Sequence, residues 1–121
     1  MVYLKKEFTA NQGTIYRQII KEDDVVIYRC SKYHPENDYT DIYWEVFVPR
    51  IVKADKYHNG DDYERYPSSE CFGDWAWCCS GLKSLAKILR DKFNRDIGEF
   101  ADRLNADGVL TSMVDSCPQQ K

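Results

Sequence analysis

The apolar residues of this chain change their spacing at Ser80. Before it they recur at every second position, most clearly in Ile42 to Val48 (IYWEVFV), where Ile42, Trp44, Val46 and Val48 share one face and Tyr43, Glu45 and Phe47 the other. After it, Leu82, Leu85, Ala86, Leu89 and Phe93 stand at i, i+3, i+4, i+7 and i+11, the stripe of an amphipathic helix. Alternation followed by helical spacing places a sheet first and helices second. The expected fold is α+β: a small antiparallel sheet of about four strands with two C-terminal helices packed on one face.

Thr14 to Lys21 (TIYRQIIK) and Val25 to Ser31 (VVIYRCS) are rich in β-branched and aromatic residues and read as strands. The acidic break Glu22-Asp23-Asp24 between them is short enough for an antiparallel hairpin. Lys32 to Asp41 is a loop by composition. Pro49 has no amide hydrogen for a ladder, so the third strand ends there, bulges or lies at an edge. Trp75 to Cys79 (WAWCC) supplies the fourth strand, with Trp75, Trp77 and Cys79 on one face. Ser80 is placed to cap the first helix. A second helix is expected from Asp96, with Glu99 as capping-box partner, an apolar face of Ile97, Phe100, Ala101 and Leu104, and Gly108 as its C′ residue. Residues 1–12 and 116–121 are expected to fray, and the 121 residues to form one domain.

Charge narrows the function. The chain carries 20 acidic against 17 basic side chains, a net charge of −3. The imbalance lies in residues 55–80, with six acids against two bases. A domain that grips phosphates normally shows the opposite sign and a basic face, so direct nucleic-acid binding is not expected. No stretch approaches the ~20 apolar residues of a membrane span. Met1 to Ala10 has two lysines but lacks the apolar run of a secretory signal. Five cysteines at irregular spacing fit reduced thiols better than a disulfide framework. Together these lead to an expected cytoplasmic location.

Several residues have the right chemistry for a reactive centre. Cys71, Cys78 and Cys79 with His34 or His58 could hold zinc or form a cysteine nucleophile with its base. Adjacent Cys78 and Cys79 point to opposite faces of a strand, whereas zinc ligands normally come as pairs two to four residues apart. Asp55, Asn59, Gly60 and Glu64 resemble a calcium loop, but Tyr57 and Tyr66 stand where carboxylates are needed. Ser84 and Lys87 form Ser-x-x-Lys without the companion Ser-Asp-Asn and Lys-Thr-Gly. The basic row Lys83, Lys87 and Arg90 reads as a solvated helix face. No catalytic residue, metal or other cofactor is assigned.

The connection over residues 55–74 is the strongest pointer to function. About twenty residues without a period is long for a compact domain, and such connections are often functional. Its carboxylates Asp55, Asp61, Asp62 and Glu64 alternate with Tyr57, Tyr63 and Tyr66. These are the candidate partner-binding residues: the acids oppose the lysines and arginines of a basic groove, and the tyrosines supply rigid contact area. A short, acidic, Tyr- and Trp-rich chain without a catalytic signature is similar to accessory proteins of phages and mobile elements, including anti-CRISPR proteins that inhibit host defence nucleases. This resemblance spans the whole chain, rests on no diagnostic motif and carries no residue assignment. It implies a non-enzymatic protein-binding module whose partner is a basic, nucleic-acid-handling protein. The alternative is a small thiol- or zinc-dependent enzyme using Cys71, Cys78 or Cys79 with His34 or His58. A homodimer through a Pro49 edge strand is a further possibility.

Overall fold

The structure, a computed structural model, describes residues 1–54 and 60–106. Asp55, Tyr57, His58, Gly108, Cys117 and the tail over 116–121 lie outside the described residues.

The alternating segments become β1 (Glu7–Ala10), β2 (Thr14–Lys21), β3 (Val26–His34), β4 (Tyr39–Phe47), a short β5 (Ile51–Val52) and β6 (Tyr63–Glu64), and β7 (Ala76–Cys79). Among the described residues five of them form one sheet in the order β1-β2-β3-β4-β7, every neighbouring pair antiparallel. β5 and β6 pair separately. The fold class is α+β, with five strands in the main sheet where about four were expected.

The added strand is β1, drawn from residues expected to fray. Alone it has little to hold it, with Phe8 its one large apolar side chain. Pairing with β2 through the Asn11-Gln12-Gly13 turn supplies what it lacks, and Phe8 stacks on Tyr16 with ring centroids 4.7 Å apart. All three turn residues have positive φ, a requirement that Asn and Gly meet at least cost. Upstream, the Val2 amide donates to the Asp62 carbonyl at 2.9 Å, and the Glu64 amide donates to the Val2 carbonyl at 2.8 Å. Residues 2–10 are thus joined to the rest of the fold by strand pairing and backbone hydrogen bonds.

β2 carries an irregularity between Gln18 and Ile20, which sets Ile20 opposite Ile27, itself opposite Val46. β4 ends two residues before Pro49, in keeping with the missing amide hydrogen. Because β4 lies between β3 and β7, the strand that Pro49 follows is an interior strand rather than an edge. The sheet's edges are β1 and β7.

Helix α1 (Leu82–Phe93) starts from Gly81 with no side-chain cap, one residue later than the Ser80 expectation. Leu85 and Leu89 pack with Ile27, Trp44, Val46 and Cys79. Asn94, in the left-handed conformation, ends the helix. The Asp96–Glu99 capping box is present, but on a 3-10 turn, Ile97–Phe100, that runs on into α2 (Ala101–Ala106). Phe100 and Leu104 join the core of α1, so both helices cover the same face of the sheet.

The opposite face is buried as well. Tyr16, Val26, Tyr28, Cys30 and Phe47 form a second core there. Val25 to Tyr28 are all fully buried, the run expected of a strand covered on both sides. The cover comes from the N-terminal segment and from residues 66–75, which contribute Tyr66, Cys71 and Trp75. Trp75 was expected on the Trp77 face; the strand begins at Ala76, and Trp75 belongs to the second core instead. Arg50 and Arg65 lie over its ring, 4.8 and 5.6 Å from the centroid.

Candidate functional site

Strand register builds a site on the second face. Tyr28, Glu45 and Cys78 stand side by side across β3, β4 and β7, and Phe8, Tyr16, Cys30 and Tyr43 stand across β1 to β4. Over these rows lies the segment following β6. Tyr66 meets Phe8, Tyr16, Tyr28 and Phe47 edge-on, with ring centroids 5.3, 5.7, 5.0 and 5.0 Å away. Its hydroxyl donates to Oε1 of Glu45 at 2.6 Å. Beside this contact opens a groove of about 710 Å³, walled by Phe8, Tyr16, Tyr66 and Phe72. Glu45 lies on its sheet side, and Asn11, Ser68, Ser69 and Cys78 border it.

Glu45 is half-buried among aromatic rings. Burial raises its carboxyl above the usual carboxylate range, and the Tyr66 hydrogen bond acts in the opposite direction. Among the described residues Tyr66 is its hydrogen-bond partner, through Oε1, and Oε2 has none. The phenols around it are held protonated. Burial first, then the Glu45 charge, raises Tyr66, and burial pushes Tyr28 up to about 12. Tyr28 is also pinned at both ends of its hydroxyl: it donates to the Lys5 carbonyl and accepts from Gln18 Nε2 at 3.1 Å.

The described candidate reactive residues, Cys71, Cys78, Cys79 and His34, are not assembled. Cys71 is buried, its sulfur 3.5 Å from both Arg65 Nη2 and Ser68 Oγ. Cys79 lies in the helix-side core, where burial pushes its thiol up to about 12. Cys78 is exposed, and burial of its sulfur followed by the charges of Glu45 and Asp41 raises its thiol. That is the reverse of what activates a cysteine nucleophile. His34 sits at the end of β3, with Nδ1 3.5 Å from Glu36 and its ring stacked on Tyr39, rather than against a cysteine. Among the described residues no three of His, Cys, Asp and Glu come together in a way that could hold a metal ion.

The candidate partner-binding residues divide. Asp61 is exposed. Asp62 accepts from the Ala54 amide at 2.7 Å and pairs with Lys53 at 3.4 Å, contacts that hold its carboxyl below the usual range. Tyr63 is half-buried in β6. Glu64 pairs with Lys21 at 2.6 Å and accepts from the Leu4 amide at 2.8 Å. Asp62 and Glu64 therefore fasten the N-terminus and the β5–β6 pair. Of the described members of the set, Tyr66 alone lines the groove. Sequence reasoning passed over Glu45, Phe8, Tyr16 and Phe72. The available signal was Glu45 itself, a carboxylate between Tyr43 and Phe47 on a strand face that is otherwise aromatic.

Comparison of the chain with known protein families, curated proteins and solved structures returns no match. Fold and groove alone define its class: an α+β protein with helices on one face of an antiparallel sheet and, on the other, an aromatic groove built around a half-buried carboxylate. Among the described residues no helix is long and apolar enough to cross a membrane.

Proposed function

We propose that the chain is a small protein-binding module rather than an enzyme, and that its acidic, aromatic surface engages a basic partner. The observation that carries this reading is the groove, which gathers four aromatic rings around Glu45 and leaves one carboxylate oxygen open. Aromatic side chains in a desolvated pocket are the usual anchors of protein interfaces, and a carboxylate among them selects a positively charged contact. The raised thiols of Cys78 and Cys79 weigh against the rival thiol enzyme. Combined with the resemblance to phage and mobile-element accessory proteins, the reading extends to inhibition in the cytoplasm: a carboxylate surface occupying a nucleic-acid-handling enzyme where phosphates would otherwise bind. Exposed Asp61 is a further negative contact in this reading, separate from the groove lining, while Asp62 and Glu64 fasten the N-terminus and the β5–β6 pair.

The test is affinity capture from host lysate with and without nuclease, run in parallel with Glu45→Gln. The expected result is one stoichiometric protein that survives nuclease, is released by high salt and is lost from the variant. Recovery of no protein, or of material that nuclease removes, would overturn the proposal.

A further inference from the structure

The geometry points to one occupant for the groove: the guanidinium of an arginine side chain from the partner, seated against Oε2 of Glu45. This rests on the protein-binding reading and names the chemistry of its central contact.

The first argument is the carboxylate. Oε1 takes the Tyr66 hydroxyl, whereas Oε2 has no hydrogen-bond partner among the described residues, and Glu45 lines the groove. A half-buried carboxylate has lost part of its hydration, and a donor carrying positive charge restores the most of what was lost. The second argument is the walls. Phe8 and Tyr16 are stacked within 3° of parallel, and Phe72, on the segment after Tyr66, also lines the groove. Tyr16 is buried in this stack, but Phe8 and Phe72 are only half-buried, and the negative face of such a ring attracts a cation. A guanidinium is planar, stacks on aromatic faces and is more weakly hydrated than an ammonium, so it gives up less on entering.

The third argument comes from the rest of the molecule. Arg50 and Arg65 cover Trp75, and Arg95 covers Phe100 at 4.9 Å. The groove has rings and a carboxylate, yet neither Lys nor Arg of the described residues lines it. Among the described residues none lines the groove as its cation, and the proposed guanidinium supplies one. Ser68 and Ser69 border the opening with hydroxyl oxygens that can accept the guanidinium's remaining N–H groups. At about 710 Å³ the groove also leaves room for residues flanking the arginine.

The test uses the full chain and two simple probes, ethylguanidinium chloride and n-butylammonium chloride, titrated while the ring signals of Phe8, Tyr16 and Tyr66 are followed by NMR. Saturable shifts at these rings are expected with ethylguanidinium at lower concentration than with butylammonium. Glu45→Gln should weaken the guanidinium response by about tenfold or more, the loss of one charge-assisted hydrogen bond. Ser69→Arg, which places a guanidinium at the exposed border, should block it without changing the Leu85 and Leu89 signals of the helix-side core. Tighter butylammonium binding, or an undiminished response in Glu45→Gln, would overturn the arginine seat. Absence of saturable shifts would do the same, and capture of a Glu45-dependent partner would then leave the broader reading standing. Saturable shifts with no protein captured would instead overturn the binding module and the partner's arginine together.

Discussion

Tyr66 and Glu45 lie 21 residues apart in sequence and are joined by a hydrogen bond of 2.6 Å. That bond fastens an aperiodic connection to the middle of the sheet and partly satisfies a carboxylate that has lost part of its hydration to burial. The same contact orients Glu45 toward the groove. Structure and candidate function thus share one pair of side chains.

Tyr66→Phe keeps the ring's edge-on contacts and deletes the donor. Removing one partner of a buried acceptor costs about 1–3 kcal/mol. The variant should unfold at lower urea concentration by a corresponding amount with its denaturant slope unchanged. The Glu45 carboxyl should also titrate higher than in the native chain, because the hydrogen bond that opposes burial is gone. Equal stability of the two proteins would mean that the bond does not close in solution.

Glu45→Gln tests the electrostatics with the opposite sign. The folded chain holds the Glu45 proton more tightly than the unfolded chain does, so the burial cost is absent at low pH. It grows as pH rises through and above the ordinary value of 4.5 and levels off above the folded-state value. Relative to the native chain, the Gln variant should gain stability with rising pH over that interval. Glu22 and Asp62 work the other way. Their carboxyls are lowered, chiefly by the Arg95 hydrogen bond and by the Ala54 amide, so their stabilisation is present above the ordinary carboxylate range and disappears as pH falls through the folded values. Unfolding measured between pH 3 and pH 8 as an approximate working range separates the two trends.

The legibility of these features follows from how local each one is. The strand alternation around Trp44 and Val46 and the stripe of Leu85 and Leu89 could be read directly, because backbone geometry alone sets both spacings. The Asp96–Glu99 box was readable for the same reason, being complete within four residues. β1 was not, since Glu7-Phe8-Thr9-Ala10 acquires its structure from β2 and from one ring stack. Tyr66 was assigned to a partner because composition does not distinguish a tyrosine facing inward from one facing outward. The groove lay beyond sequence reasoning for a deeper reason. It arises only when register brings β1, β2, β4 and β7 alongside a segment that has no period of its own.

Arg95 ties the helix side to the β2–β3 turn. It bonds Glu22 at 2.7 Å, Asp24 at 2.7 Å and Glu99 at 2.9 Å while lying over Phe100. Arg95→Met should lower stability by losing a network rather than a single pair, and added salt should narrow the difference from the native chain. Urea unfolding at low and high salt provides the check; a difference that salt leaves untouched would place the effect in packing on Phe100.

Leu89 is fully buried between α1 and the sheet. Leu89→Ala should cost about 2–5 kcal/mol, the range for a truncated core leucine that leaves a cavity. Because the second core lies on the other side of the sheet, the rings of Phe8, Tyr16 and Tyr66 should keep their NMR positions in the variant while the folded state survives. Shifts at those rings would show instead that the two cores are coupled through the strands.

Cysteine reactivity reads the groove from its border. Among the described residues Cys30, Cys71 and Cys79 are buried and Cys78 is exposed, so in a Cys117→Ser background Cys78 should react first with a disulfide reagent at neutral pH. The reaction should still be slower than that of a free thiol, because burial of the sulfur and the charges of Glu45 and Asp41 disfavour the thiolate. Glu45→Gln removes one of those charges and should accelerate it. Occupation of the groove by ethylguanidinium should do the same electrostatically in the native chain, unless the bound ion covers the sulfur, in which case the rate falls. Either change, absent in Glu45→Gln, places the ion beside Glu45; an unchanged rate in the native chain would place it elsewhere.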